Sequence, residues 1–174
     1  MIDSIAVFES DDAKSLASDL FYARFRQPFP VPRDNCGLTI STPPESWHQY
    51  VATYGSGESR KTIGFVNFIR YDDAYLEGGL CVDESSYRRM DRDTFLQCRA
   101  RGGIAQMLME TAAKDLNDRS AWFGYVGDRK SMAVTLRSGY ERTAHPYIIV
   151  KWFRRLPELE QQALLEKIAA IGPF

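Results

Sequence analysis

At 174 residues, 44% of them apolar and 26% charged, the chain fits one globular domain with a sizeable core and excludes a disordered or fibrous class. Lysine and arginine total 22 against 23 aspartates and glutamates, a net charge of −1, so no global field draws the chain to nucleic acid or an anionic membrane. No stretch approaches the roughly 20 consecutive apolar residues of a membrane span.

The first element is a short apolar strand, Ile5 to Phe8. Ser10-Asp11-Asp12 then reads as a helix start, with a capping hydroxyl and acids at the positive end of the dipole. Ala13, Leu16, Ala17 and Leu20 follow at helical spacing. Pro28, Pro30 and Pro32 end that helix, and Pro43-Pro44 makes a second break. His48 to Tyr54, Thr62 to Ile69 and Tyr75 to Val82 are rich in aromatic and β-branched residues. The turns Gly55 to Glu58 and Tyr71 to Ala74 separate them, which predicts an antiparallel meander. Thr62 to Ile69 is apolar on both faces and so is expected to be central.

After Val82 the character changes. The run Tyr87-Arg88-Arg89-Met90-Asp91-Arg92-Asp93 is too polar for a core, and an exposed loop is favoured over a lid. Gly102-Gly103 opens a helix with Ile104, Met107, Leu108, Ala112 and Leu116 on one face and Gln106, Glu110 and Lys114 on the other. Ser120 to Val126 is a buried strand, Arg129 to Ser138 a short helix ended by Gly139, and Tyr147 to Phe153 a last strand. Pro157 starts and Gly172-Pro173 ends a C-terminal helix over about 157–171, with Leu164, Ile168 and Ile171 on its apolar face. This order predicts an α/β fold: a single mixed, mostly antiparallel central sheet with helices on both faces, forming one domain over residues 1–174.

Cys36, Cys81 and Cys98 are an odd set without a CxxC pair, and His48 and His145 lie in unrelated surroundings. Neither a disulfide framework nor a metal site is expected. Met1-Ile2-Asp3-Ser4 shows no basic region ahead of an apolar one, so no secretory signal is expected, and the chain reads as cytoplasmic.

The segment that carries chemistry is the strand YLEGGLCV, its connection, and RGGIAQMLME. Glycines let backbone amides approach a ligand, and the N–H groups at a helix start favour an anion such as a pyrophosphate. By itself this is also what an ordinary turn before a helix looks like. After the next strand comes GDRKSMAVTLRSGY, residues 127–140. At this point the chain resembles the GNAT superfamily of N-acetyltransferases. Gly103 and Ala105 match the small positions of that family's phosphate loop, and Asp128, Ser131, Arg137 and Gly139-Tyr140 match its following helix. Departures are Ala100 at the loop's Gln/Arg position, flanked by Arg99 and Arg101, Thr135 where many members carry a tyrosine acid, and the long connection from Val82 to Gly102.

The resemblance implies an enzyme, an N-acetyltransferase that moves an acetyl group directly from acetyl-CoA to a primary amine. It places the donor against Leu80, Cys81 and Val82, the turn Arg101, Gly102, Gly103, Ile104 and Ala105, and Asp128 with Ser131. No metal is implied. Glu77, on the strand leading to Leu80, is the base candidate, because a carboxylate desolvated in a cleft has its pKa raised toward neutrality. A surface glutamate is its plain alternative. Gly78-Gly79 after it is a bulge that splays the strand or only a flexible point. Thr135 can donate a hydrogen bond to the leaving sulfur, and Tyr140, like Tyr125 and Tyr147, is a proton-donor candidate where core packing is the commoner role. Cys81 reads as packing rather than as a nucleophile. The expected partner is a small-molecule or peptide amine, with no nucleic acid and no membrane, and a homodimer is left open. Residues 21–50 and the long connection would choose the amine. A catalytically silent module of the same fold, binding acyl-CoA or a protein, is the competing reading.

Overall fold

Alternation along the strands builds the sheet. The computed structural model describes residues 5–30 and 47–174. Cys36, Pro32 and the Pro43-Pro44 break lie outside them. Ile5–Glu9 (β1), Trp47–Tyr54 (β2), Lys61–Tyr71 (β3) and Ala74–Val82 (β4) pair in sequence as the expected antiparallel meander. Ala121–Tyr125 (β5) then pairs parallel to β4. Ile148–Trp152 (β7) pairs antiparallel to β5, and the two-residue strand Glu141–Arg142 (β6), which periodicity is too short to reveal, pairs on the outer side of β7. One mixed seven-stranded sheet results, in the order β1-β2-β3-β4-β5-β7-β6, with β3 paired on both sides.

Successive residues feed opposite cores. On one face, Tyr50, Val66, Phe68, Trp122 and Ile149 meet the helix Ile104–Asp115 (α3) through Ile104, Met107, Leu108 and Ala112. Trp122 is fully buried, and its Nε1–H donates to the Leu116 carbonyl at 2.7 Å, so its one polar group is satisfied. On the other face, Val51, Phe65 and Cys81 meet the helix Ala13–Phe25 (α1), and Leu76, Phe123 and Val150 meet the helix Glu158–Ile171 (α5).

Local details depart from the sequence reading for packing reasons. In α1 the buried stripe is Ala13, Ala17 and Phe21, while Leu16 is 40% exposed. The small alanines let the helix lie close to the sheet, and Phe21 turns in against Phe29 and Phe65. Ser10 Oγ accepts from the Asp12 amide at 3.2 Å, capping the turn before the helix rather than the helix itself. Gln106, placed on a polar face by periodicity, is buried where the helix Arg129–Arg137 (α4) docks, and its Oε1 accepts from Ser138 Oγ at 3.2 Å. Glu110 pairs with Arg101 at 3.3 Å. In α5, Leu164 and Ile168 are buried as expected, but Ile171 in the last turn is 41% exposed.

The largest correction concerns the connection after β4. It is structured, with a 3-10 turn at Glu84–Arg88 and a helix at Arg92–Ala100 (α2). The charges form that helix's solvated side and its cap: Asp91 Oδ1 accepts from the Thr94 amide at 2.9 Å. Cys98 is buried on the inner side, and Tyr87 packs against the same core.

Candidate active site

β4 and β5 are paired only from Ala74↔Ala121 to Glu77↔Gly124. Beyond Glu77, β4 continues against β3 alone through Gly78–Val82. The break coincides with a bulge, since the β3–β4 register passes from Asn67↔Gly79 to Phe68↔Glu77 and leaves Gly78 unmatched. The strands therefore part, and a cavity of about 1150 Å³ opens above the parting. Leu80, Cys81 and Val82 form its floor. Leu20, Ala23 and Arg24 of α1, the Gly102 turn with Ala105 and Tyr87, and Ser131, Val134 and Arg137 of α4 form its sides. Arg24, Arg99, Lys130 and Arg137 give the lining four cations against two acids, Asp83 and Glu84. Two are held loosely: Lys130 Nζ lies 2.7 Å from Glu84, and Arg24 lies 3.7 Å from Asp128. These half-exposed to exposed pairs contribute little stability and exchange readily for an anion.

Glu77 and Tyr140 meet at the vertex. Tyr140 Oη donates to Glu77 Oε2 at 3.1 Å, and both residues are buried. Burial raises the Glu77 carboxyl to about 7, and the tyrosine's hydrogen bond holds it from going higher. Burial, together with the charge of Glu77, pushes the Tyr140 phenol well above its ordinary range. The room for the carboxylate comes from Gly124, opposite Glu77, where a Cβ would stand 3.3 Å from Oε2. Glu77 is thus not the surface glutamate that was its plain alternative. It is not part of the cavity wall either: it lies three residues before Leu80 on the same strand.

Of the residues singled out in the sequence, Leu80, Cys81, Val82, Gly102, Ala105 and Ser131 line the cavity. Asp128 works as the N-cap of α4, accepting from the Lys130 and Ser131 amides at 2.9 and 3.0 Å. Thr135 is fully buried, and its hydroxyl donates within the helix, 3.1 Å from the carbonyls of both Ser131 and Met132. It does not line the cavity, and its hydroxyl serves its own helix rather than a sulfur there. Tyr125 stacks on Tyr147 at 5.6 Å between centroids, away from the Glu77 pair. Burial pushes the Cys81 thiol up to about 12, opposite to what a nucleophile needs.

The turn itself corrects the expectation of free amides. Arg101, Gly102 and Gly103 donate to the carbonyls of Gln97, Arg99 and Cys98 at 3.2, 2.9 and 2.9 Å, all at the end of α2. The Ile104 amide donates to Tyr87 Oη at 3.0 Å. Ala105 and Gln106 are the next amides of the helix start. Gly103 has φ 96°, and a Cβ there would come within 2.8 Å of Tyr87 Oη, so its glycine is needed for the turn and for the tyrosine.

Sequence reasoning missed Tyr87, Arg24 and Lys130. Leu20, Ala23 and Arg24 sit at i, i+3 and i+4, a helical face that periodicity can reveal. Tyr87 was hidden within a charged run. Among the described residues there is no cluster of His, Cys, Asp and Glu placed to hold a metal ion, and no helix long and apolar enough to cross a membrane.

No protein-family model and no curated protein sequence matches the chain. Solved structures do. The ribosomal-protein-S18-alanine N-acetyltransferase from Escherichia coli aligns with TM-score 0.55 at 12% identity, over 90% of this chain and 97% of that one. An aminoglycoside 6'-N-acetyltransferase in complex with coenzyme A gives 0.57 at 13%, over 88% and 99%. A GNAT-family protein from Bacteroides thetaiotaomicron gives 0.51 at 12%, over 97% and 98%. The chain therefore carries the GNAT fold, in the mixed-sheet form that its element order predicts. At such identities the likeness establishes the fold alone.

Proposed function

We propose that the chain is an acyl-CoA-dependent N-acyltransferase that passes an acetyl group from acetyl-CoA directly to a primary amine. The observation that carries this reading is the cavity above the parting of β4 and β5, lined by Leu80 to Val82 of β4 and by Arg24, Arg99, Lys130 and Arg137. A cleft of that size and sign suits a long, polyanionic thioester. Two structural neighbours of the same fold support it, one of them solved with coenzyme A.

In the proposed reaction the amine nitrogen attacks the thioester carbonyl, the C–N bond forms, the C–S bond breaks, and the thiolate leaves. Backbone amides of Leu80 to Val82 would polarise the carbonyl oxygen as it gains charge. Glu77 would take the amine's proton. A carboxyl poised near 7 is well matched to that task, and Tyr140 fixes the rotamer of the accepting oxygen. Glu77 stands outside the cavity wall, so its proton arrives through the vertex, by way of water or of an amine reaching down between the strands. The chain acts as a single domain that makes no use of a metal, with its acceptor a small-molecule or peptide amine.

Calorimetry with acetyl-CoA and with CoA tests the reading, followed by thiol release over a panel of amines. Micromolar binding and release with at least one amine are expected; no binding of either nucleotide would overturn the reading. The silent-module alternative draws on one observation, that the amides of Arg101 to Ile104 are already occupied. Tight CoA binding with no release over the panel would favour it.

A further inference from the structure

We infer that Tyr87 is a binding residue for the donor's pyrophosphate, standing in for the backbone amides that the end of α2 has occupied. This rests on the acyl-CoA reading above.

The backbone of the turn offers an anion little. Three amides are tied to α2 and the fourth to Tyr87. Tyr87 nevertheless lines the cavity, beside Gly102 and Ala105. Its oxygen accepts from Ile104 N–H, the first amide of α3, and no described residue accepts its own proton. A hydroxyl that accepts from a helix N-terminus is polarised and becomes a better donor. The phenol would therefore extend the positive end of α3 by one O–H group, on a residue that lines the cavity together with Arg24, Arg99, Lys130 and Arg137.

The tyrosine is held rather than mobile. Asp83 Oδ1 accepts from the Ser85 amide at 2.9 Å and from Ser85 Oγ at 2.6 Å, and Arg89 reaches both Ser85 and Asp83, fixing the 3-10 turn that carries Tyr87. Its ring packs edge-on against Phe95, with centroids 6.3 Å apart. A fixed donor binds an anion with less ordering loss than a mobile one. Gly103 belongs to the same device, because a side chain there would displace the hydroxyl.

The opposite role is a plug, in which the phenol blocks Ile104 N–H and must leave before an anion binds. The two roles predict opposite signs. Calorimetry of CoA with the wild type and Tyr87→Phe decides between them. The binding role predicts affinity at least about tenfold weaker in the phenylalanine variant, as a hydrogen bond to a charged group implies. Equal or tighter binding overturns it. Binding to neither protein overturns this inference together with the acyl-CoA reading, whereas equal binding to both leaves that reading standing. A measurement on the wild type alone guards against a misfolded variant. On CoA addition the nuclear Overhauser contact between the Tyr87 ring and the Ile104 amide should persist. Its loss would show that the phenol had been expelled, and would also overturn the inference.

Discussion

The vertex and the mouth of the cleft are built on opposite principles. At the vertex, Glu77 and Tyr140 are buried, bonded to each other, and shifted far from their ordinary ionisation. At the mouth, Arg24 and Lys130 sit in solvent-exposed surface pairs with Asp128 and Glu84. A dry carboxylate changes reactivity because its charge is poorly solvated, whereas exposed cations change encounter and affinity and are screened by salt. On the proposed reading, chemistry and donor binding would be separable in this fold. Substitutions at one end should leave the other's observable alone.

The largest effect should come from Glu77→Gln. Turnover is expected to fall on the order of 10²-fold or more with CoA affinity unchanged, measured by thiol release and calorimetry. The same variant has a stability signature of its own. A carboxyl whose folded pKa is raised binds more protons folded than unfolded, so it costs stability as pH rises from the unfolded value of about 4.3 through about 7. Glu77→Gln should therefore melt higher than wild type at pH 8.5 and lose that advantage by pH 4. An advantage that did not depend on pH would contradict the assignment of the shift to burial.

At the mouth, Arg137→Glu should weaken acetyl-CoA binding about tenfold at low salt, less at 0.5 M salt, with turnover at saturation kept within a few-fold. A fall in turnover with unchanged affinity would merge the two regions. Tyr140→Phe removes the hydrogen bond that lowers the Glu77 pKa, so the acidic limb of the rate profile should move to higher pH while activity at pH 9 stays within several-fold. The smallest effect is expected at Thr135→Ala, with turnover within about twofold and at most about 1 kcal/mol of stability lost, since the hydroxyl only serves its own helix. A thousandfold loss of turnover there would return Thr135 to the reaction.

Much of the architecture was legible because one face of each long element is apolar at the right period. The meander, α3 and α5 follow directly from such patterns, and β6 was missed because two residues carry none. The site was legible in part. Glu77, Gly103 and the 127–140 segment stood out by residue type and order. What Glu77 does depends on contacts 47 and 63 residues away, Gly124 and Tyr140, which no local pattern encodes. Tyr87 and the connection to α2 were misjudged for a related reason. A charged run reads as solvent-facing whether it is a loop or the outer side of a helix, and the half-buried Tyr87 at its start and the buried Cys98 after it tell the two apart. The sequence of Arg101 to Ile104 showed the turn but not that its amides already have partners, because amide occupancy is a tertiary property.

The most direct test of the vertex account is the pH–rate profile of thiol release at saturating acetyl-CoA, measured on wild type and Glu77→Gln with an amine acceptor found in the panel. The account predicts that the wild-type rate climbs with pH to a plateau with a midpoint near 7, as the carboxyl ionises, while the glutamine variant runs low and without that limb. The same midpoint in both proteins would contradict it and would assign the proton transfer to another group.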